Sequence, residues 1–313
     1  MSPLVSILIP CYNAAPWLAA TLASALAQTH PRTEIIVVDD GSSDHSVTVA
    51  RTFAPHGVRV VTQPNAGASA ARNHALRLAC GDFIQFLDAD DLLTPDKIAA
   101  QVARLAHSAP DSIATCRWGR FSTDPTNAIF VDDAVFRDFA PLDYLLAHTG
   151  AARMIHPAAW LVPRRVADRA GPWDESLSLN DDGEYFARVV LATSAIVFSP
   201  SGASLYRSNL PGSLSRQRSR RALESVFRSV ELITAHLRQA EDSPRTQRAL
   251  ADYWQRLAFE IYPEAPDLCR RAEAESDRLG GSSLQPSMGP RQRALSRLLG
   301  WKLARRLGLI LSP

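Results

Sequence analysis

The stretch Phe83-Ile84-Gln85-Phe86-Leu87-Asp88-Ala89-Asp90-Asp91 joins a mostly apolar run to three carboxylates. The apolar part has the length and composition of a buried β-strand. Carboxylates crowded at a strand end repel one another, so a nearby cation is expected to offset their charge. Mg²⁺ and Mn²⁺ prefer oxygen ligands and bridge phosphates. The stretch therefore predicts a metal-held phosphate group at the end of a strand.

Strand and helix patterns alternate along the first half of the chain. Apolar runs predict strands at 5–10, 34–39, 58–62 and 82–87. Helical patterns follow these runs at 16–28, from about 43, at 67–80 and after an N-cap at Thr94. This alternation predicts an α/β fold with a mostly parallel sheet that is flanked by helices. Residues 109–170 give no clear strand pattern.

Polar residues gather where the predicted strands end. They are Tyr12, Asn13, Asp39, Asp40, Pro64, Asn65, Asp88, Asp90 and Asp91. Ligands of such sheets bind outside the carboxyl ends of the strands. We therefore expect one shared crevice there.

Composition excludes several classes of protein. The chain has 313 residues, with ordinary apolar and charged fractions of 46% and 21%. A net charge of only +2 gives no overall positive electrostatic field that would attract nucleic acid. The four cysteines are widely spaced and match no zinc pattern, so we expect reduced thiols. With neither a signal peptide nor a long apolar span evident, we expect a soluble, cytoplasmic catalytic part.

The second part of the chain is Arg-rich and helical. We place the domains at 1–215 and 216–313. Residues 291–311 predict a basic amphipathic helix, whose apolar face carries Leu295, Leu298, Leu299, Leu303, Leu307 and Ile310. Such a helix could lie on an anionic membrane at the inner face of the cell membrane, with Trp301 at the interface, or pack on its own domain or a partner subunit.

Taken together, the motifs resemble those of inverting family 2 glycosyltransferases with a GT-A fold. The resemblance covers about residues 4–215. The matching segments are Ser6 to Asn13, Val37 to Asp44, Asn65 to Asn73, Phe86 to Asp91, and Trp173 to Arg188. In this order and spacing the set is specific, although each motif alone is weak.

The resemblance implies a metal-dependent donor site. Asp90 would hold Mn²⁺ or Mg²⁺ against the donor diphosphate, and Asp88, the other residue of the metal motif, would contact the donor ribose or sugar. The structural alternative is that Asp90 and Asp91 cap a following helix. Of the three aspartates, Asp91 is the one expected to cap the helix or to support the two residues of the metal motif.

The same resemblance implies residues for the nucleotide. Asp40 matches the carboxylate that reads the base, and a carboxylate can accept the N3 proton of uracil, which favours a UDP-sugar. Asp39 could share this role or orient the ribose, and both residues could instead form a turn before Gly41. Tyr12 could stack on the base, and Pro10 contributes backbone and shape.

Three further residues are candidates for the donor or acceptor site. Arg72 lies near the base or diphosphate, or is a solvated helix arginine. Arg207 could close over the diphosphate. Trp173 forms an apolar wall for the acceptor sugar or packs in the core.

Asp182 is the candidate catalytic base, with Asp181 as the alternative. In an inverting transfer, one carboxylate deprotonates the acceptor hydroxyl that attacks the anomeric carbon. The family more often has Glu-Asp at this position, whereas this chain has Asp181-Asp182. Which of the two aspartates is the base therefore stays open. An acidic first turn of a helix is the structural explanation.

The expected function is therefore transfer of a sugar from a nucleotide sugar to a glycan or lipid-linked acceptor, with inversion, in cell-surface polysaccharide synthesis. A non-catalytic nucleotide-sugar-binding protein is the alternative, and it would not need Asp182. A nucleotidyltransferase lacks support because no Gly-rich basic loop follows the first strand. A nicotinamide dehydrogenase is disfavoured because that position also lacks Gly-x-Gly-x-x-Gly.

Overall fold

The computed structural model describes residues 2–130, 132–151, 156–210 and 217–311. The chain divides into two compact units, one formed by residues 1–145 and 154–217 and the other by residues 146–153 and 218–313. All the predicted site residues belong to the first unit. The predicted tail helix belongs to the second.

The strands are β1 Val5–Cys11, β2 Thr33–Asp39, β3 Val58–Thr62, β4 Phe83–Phe86, β5 Leu92–Leu93, β6 Ile113–Phe121, β7 Ile129–Phe130, β8 Val162–Pro163 and β9 Ile196–Arg207. The helices are α1 Ala15–Leu26, α2 Ser46–Thr52, α3 Ala68–Leu78, α4 Lys97–Ala106, α5 Pro141–Ala151, α6 Arg164–Ala170, α7 Asp181–Leu191, α8 Arg220–Ala240, α9 Pro244–Ile261, α10 Pro266–Arg278, α11 Pro290–Leu299 and α12 Trp301–Leu311.

The larger sheet has the order β3-β2-β1-β4-β8, in which only β8 runs antiparallel to its neighbour. Every residue of β1 is buried, and so are the last five of β2. Strands covered on both faces need apolar side chains on both, which explains why they appear as continuous apolar runs in the sequence. The predicted parallel α/β sheet is confirmed.

A second sheet, β5-β9-β6-β7, was not predicted. Its central strands β6 and β9 run parallel, with a register shift between Cys116 and Arg117. The sequence signal is weak because β6 is buried at its start but exposes Arg117 and Arg120 further on. The strand is therefore apolar over only part of its length.

The predicted helix cap at Thr94 is wrong, because α4 begins at Lys97 after Asp96. The Thr94 hydroxyl accepts a hydrogen bond from the Ala203 backbone N–H at 2.8 Å and donates one to Asp96 at 2.9 Å. Thr94 thus ties the segment after β5 to β9 instead of starting a helix.

The second unit consists of helices. Ser219 caps α8 and Ser243 caps α9, each accepting a backbone N–H with its hydroxyl. The predicted tail helix is two helices, because Gly300 has a left-handed φ of 77° and ends α11. Trp301 is half-buried and packs edge-on against Phe259 and Tyr262, with ring centroids 5.0 and 5.2 Å away. None of the helices in the described ranges is both long and apolar enough to cross a bilayer.

Candidate active site

Three parallel strands bring their carboxyl ends to one edge of the larger sheet. Cys11 at the end of β1 pairs with Asp39 at the end of β2. The Cys11 carbonyl accepts the Asp40 N–H at 2.8 Å, and the Leu8 carbonyl accepts the Leu87 N–H at 3.0 Å. The segments that follow β1, β2 and β4 are therefore neighbours, as ligand sites of such sheets require.

The adjacent carboxylates after β2 have different surroundings. Asp40 accepts hydrogen bonds from the Gln63 side chain and from the backbone N–H groups of Ala66 and Gly67, at 2.7 to 2.9 Å. Asp39 accepts one from the Ser42 N–H at 3.1 Å, and its buried Oδ1 has no hydrogen-bond partner among the described residues. Asp40 therefore holds the loop after β3, whereas one buried oxygen of Asp39 is left without a donor in the described part of the chain.

The segment after β1 is partly open to solvent. The Tyr12 side chain is 54% exposed, so its ring is free to stack on a planar ligand. Asn13, at a φ of 48°, accepts the Ser43 and Asp44 N–H groups with its side-chain oxygen. Pro10 is buried within β1 and pairs with Val38. Asn13 thus fixes the backbone turn that presents Tyr12.

The turn from Asp88 to Asp91 concentrates negative charge. Its backbone is closed by a hydrogen bond from the Asp91 N–H to the Asp88 carbonyl at 3.1 Å. Burial, with Asp91 and Asp88 nearby, raises the pKa of Asp90 to about 8. The pKa stays high although Arg207 opposes the rise, so the positive charge near Asp90 does not fully compensate its burial and its acidic neighbours. A bound cation would supply the missing positive charge.

Asp91 supports this turn and does not cap a helix. It is buried, and its Oδ1 accepts the Arg207 backbone N–H at 2.8 Å. Its Oδ2 lies 3.2 Å from Nδ1 of buried His156, and the Nε2 of that ring hydrogen-bonds the Ser204 hydroxyl at 2.9 Å. Burial lowers the pKa of His156 to about 4, so the ring is neutral at pH 7. The helix-cap alternative is therefore wrong.

Arg207 is fixed from several sides. Its Nε donates to the Asp90 carbonyl at 2.9 Å, its Nη1 donates to the Ser122 carbonyl at 3.1 Å, and its guanidinium lies 4.4 Å from the Phe121 ring centroid. The residue is only 8% exposed. Its positive charge is thus held beside the acidic turn by backbone contacts.

Arg72 on α3 links two parts of the site. Its guanidinium donates to Asp88 and to Asp181, both at 2.8 Å, with its side chain 7% exposed. Burial disfavours the charge, but Asp88 and Asp181 offset this effect and raise the pKa of Arg72. A solvated helix arginine is therefore the wrong interpretation. The guanidinium of Arg72 thus pairs with both the acidic turn after β4 and the start of α7.

Trp173 packs in the core beneath Arg72. It is 2% exposed and stacks on Tyr185, with ring centroids 4.1 Å apart. The Arg72 guanidinium lies 4.5 Å from its ring centroid, within reach of a cation–π contact. Trp173 therefore packs in the core, and the prediction that it forms a wall for the acceptor sugar is wrong, because the indole has almost no surface left for a ligand.

The two carboxylates that begin α7 are also unequal. Asp181 accepts from Arg72 and from the Ser69 hydroxyl, the latter at 2.9 Å. Asp182 accepts the Gly183 N–H at 2.9 Å. Burial and the neighbouring Asp181 raise the pKa of Asp182 to about 6, against the opposing effect of Arg72. Asp182 therefore has the pKa of a group that exchanges protons near neutral pH.

The residues present fit a divalent cation that also binds phosphate oxygens. No group of three or more histidine, cysteine, aspartate or glutamate side chains in the described part of the chain is arranged to hold a metal ion. Asp88 and Asp90 would thus supply the protein's carboxylates, and diphosphate and water the remaining oxygens. Mg²⁺ is commonly bound in this way, through one or two carboxylates and substrate phosphates.

Two residues of this arrangement were not predicted. Ser69 precedes Arg72 by three positions on α3, and that spacing alone would have placed both on one helix face. Gln63 lies in the loop after β3 and could not be found from sequence, because only the folded loop brings it to Asp40.

The chain matches the sequence model of "Glycosyl transferase family 2" over residues 6–164. It is 32% identical over 197 residues to the uncharacterized glycosyltransferase RT0329 of Rickettsia typhi, a match that covers 62% of this chain and 60% of that protein. It is 40% identical over 103 residues to the Escherichia coli UDP-Glc:alpha-D-GlcNAc-diphosphoundecaprenol beta-1,3-glucosyltransferase WfgD, covering 33% of this chain and 41% of that one. The chain thus spans less than two thirds of either relative.

The fold is similar to that of Staphylococcus aureus TarS residues 1–349, crystallised with UDP-GlcNAc. The TM-score is 0.72 at 17% sequence identity, over 88% of this chain and 81% of that one. This likeness confirms the predicted GT-A fold. Since the family match spans half of the chain, we conclude that the protein belongs to glycosyltransferase family 2.

Proposed function

We propose that the protein transfers a sugar from a UDP-sugar to a hydroxyl group of a glycan or lipid-linked acceptor, with inversion at the anomeric carbon. The observation that carries the proposal is the Arg72 bridge. It joins Asp88, in the acidic turn suited to a diphosphate, to Asp181, the neighbour of Asp182. One side chain would thereby hold the donor site next to the residue that precedes the base.

Asp39 is the residue that we assign to the uracil. Its Oδ1 lacks a hydrogen-bond partner among the described residues, and the N3–H of uracil is a donor that would provide one. Asp40, with three donors already in place, would fix the loop instead. Tyr12 would stack on the base with its exposed ring.

Asp90, with Asp88, would hold Mn²⁺ or Mg²⁺ at the donor diphosphate. When bound, such a cation stabilises negative charge on the leaving diphosphate. Arg207 keeps the backbone of the turn in place through the Asp90 carbonyl and the Asp91 side chain. Arg72 supplies a second, permanent positive charge beside Asp88.

Asp182 would act as the base. Its carboxylate takes the proton from the acceptor hydroxyl, whose oxygen forms a bond to the anomeric carbon. The bond from that carbon to the diphosphate oxygen breaks on the opposite face, and the electron pair leaves with UDP. Asp182 ends protonated, and the product has the inverted configuration.

The relatives support the class of substrate. WfgD is named for a UDP-Glc donor and a diphosphoundecaprenol-linked acceptor, and TarS was crystallised with UDP-GlcNAc. We therefore place the reaction in polysaccharide synthesis.

The test is a panel of nucleotide sugars, scored by thermal shift with Mn²⁺ or Mg²⁺. A donor that binds the native state raises the melting temperature. The stabilising donor is then incubated with candidate acceptors, and UDP release and product configuration are measured. A donor that binds but is never turned over would favour a nucleotide-sugar-binding protein, and a product that retains configuration would refute the mechanism.

We also propose that α11 touches an anionic membrane. Leu298 and Leu299 are 83% and 47% exposed, and Arg293 and Arg297 lie on the same short helix. Exposed leucines flanked by arginines suit the boundary between anionic headgroups and acyl chains. Leu298→Glu should reduce co-sedimentation with phosphatidylglycerol vesicles, whereas Leu26→Glu, at an exposed leucine on α1, should not. Equal binding by both variants would refute the contact.

A further inference from the structure

A chain of three buried polar side chains runs from the second sheet to the acidic turn at Asp88 to Asp91. The hydroxyl of Ser204 on β9 lies 2.9 Å from Nε2 of His156, within hydrogen-bond distance. Nδ1 of the same ring lies 3.2 Å from Oδ2 of Asp91. Each of the three residues is at most 1% exposed, so their side chains are too buried to contact a substrate. This chain can influence the reaction only through the position of Asp91.

Asp91 connects the chain to the residues proposed for the cation. Its backbone N–H donates to the Asp88 carbonyl at 3.1 Å, and its Oδ1 accepts the Arg207 N–H at 2.8 Å. Arg207 itself donates through Nε to the Asp90 carbonyl at 2.9 Å. Asp91 therefore lies between β9 and the two carboxylates, and a shift of its side chain would move the backbone that carries them.

The contact between Asp91 and His156 is close but incompletely formed. Oδ2 and Nδ1 are not aligned for a hydrogen bond, and neither atom has another hydrogen-bond partner among the described residues. Buried polar atoms are nearly always paired, and an unpaired one costs about 1–3 kcal/mol. A small rotation of either side chain would complete the contact. We therefore expect this hydrogen bond in the working geometry of the turn.

The segment that follows His156 is anchored in the interior of the protein. Its carbonyl groups at 158–160 accept hydrogen bonds at 2.9 to 3.3 Å from the side chains of Gln85, Gln101 and Lys97. All three donors are completely buried. Side chains of the larger sheet and of α4 thus fix the backbone beside His156, which makes the imidazole a rigid support for Asp91.

We propose that His156 is a positioning residue for the bound cation. By holding Oδ2 of Asp91, it keeps the turn in the geometry in which Asp88 and Asp90 bind Mn²⁺ or Mg²⁺. This inference rests on the proposed function, since it takes these two carboxylates as the ligands. Loss of a residue that supports metal ligands reduces metal affinity by about 10- to 100-fold. Because His156 acts through Asp91, we expect a loss at the lower end of that range.

Two substitutions separate the ring of His156 from its nitrogens. The ring packs against Trp118 and Tyr206, with each centroid 5.5 Å away. His156→Phe keeps an aromatic ring and removes both nitrogens, whereas His156→Asn removes the ring and keeps a polar group close to the position of Nδ1. If His156 positions Asp91, the Asn variant retains more Mn²⁺ affinity than the Phe variant. If the ring only packs, the order is reversed.

The measurement is Mn²⁺ binding to the full chain in the presence of UDP, followed by electron paramagnetic resonance of the free ion, together with the melting temperature without metal. His156→Phe should weaken Mn²⁺ binding about tenfold. Ser204→Ala is a smaller change and should weaken it less. The control is Thr193→Val, which removes a buried hydroxyl that donates to the Asp111 and Ala195 carbonyls. It should lower the melting temperature and leave Mn²⁺ affinity unchanged.

Weaker Mn²⁺ binding by His156→Phe than by His156→Asn would support the inference. Wild-type affinity in His156→Phe, or weaker binding by His156→Asn than by His156→Phe, would overturn it. If His156→Phe does not fold, Ser204→Ala decides. Weaker Mn²⁺ binding than in Thr193→Val supports the inference, and equal binding overturns it. A wild-type chain that binds UDP but no Mn²⁺ would overturn the proposed metal site, and this inference with it.

Discussion

Two pairs of adjacent aspartates, Asp39–Asp40 at the end of β2 and Asp181–Asp182 at the start of α7, divide their work in the same way. Asp40 is held by three donors, and Asp181 is held by Arg72 and Ser69. Asp39 keeps an oxygen without a partner, and Asp182 keeps a raised pKa. In each pair one carboxylate maintains the structure, and we propose that the other contacts the ligand or takes part in the reaction.

Backbone geometry explains the division. Successive side chains point to opposite sides of a strand and leave a helix about 100° apart, so adjacent residues meet different neighbours. Two identical side chains in sequence are therefore not redundant. Which one serves the ligand depends on where distant segments place their donors.

Asp182→Asn should have the largest effect. Removing a general base costs about 10²–10⁴-fold in rate, whereas UDP affinity should stay near that of the wild type because Asp182 makes no proposed contact with the nucleotide. Steady-state UDP release and calorimetry with UDP measure the two effects.

Asp181→Asn is the matched variant. It removes one of the two carboxylates that face buried Arg72, which keeps Asp88, so it should mainly lower stability, by about 1.5–3 kcal/mol for a hydrogen bond between charged groups. If Asp182→Asn turned over normally and Asp181→Asn were inactive while folded, the roles would be reversed.

Substitutions in the other pair should separate affinity from stability. Asp39→Asn should weaken UDP binding by about 10- to 100-fold, because a hydrogen bond to a charged group is lost, with little change in melting temperature. Asp40→Asn should lower the free energy of unfolding by about 1–3 kcal/mol, because an amide N–H₂ would face backbone donors. Calorimetry and thermal unfolding measure these effects. A melting temperature that falls more in Asp39→Asn would contradict the division.

The smallest expected effect is the change of kcat/KM with pH. The groups around Asp182 are Asp181, Arg72, Asp88 and neutral His156. The base works when deprotonated, and burial and Asp181 raise its pKa to about 6. At a metal concentration that keeps Asp90 ionised and metal-bound, the value of kcat/KM should therefore be level above pH 6 and fall about tenfold per pH unit below it. An acid limb at the ordinary aspartate pKa of about 4 would show that the base is not buried in the working enzyme.

The larger sheet was predictable because buried parallel strands such as β1 are apolar at nearly every position, Ser6 being the exception in β1. The second sheet was not, since β6 mixes buried residues with exposed arginines. In the site, the sequence indicates which strand ends matter. It does not indicate how Asp39 differs from Asp40, because that difference arises from the folded loop at Gln63 to Gly67. Nor does it show that Arg72 reaches Asp181, a residue 109 positions away.

The Arg72 bridge limits which segments can be exchanged between this protein and its relatives. The family match ends at residue 164, so Arg72 lies inside it and Asp181 lies outside. A chimaera that takes only the matched segment from a relative would place that relative's residue 72 against α7 of this chain. The reverse chimaera would place Arg72 of this chain, with its buried guanidinium, against the corresponding helix of the relative. Domain swaps between relatives should therefore keep both ends of this contact from one parent.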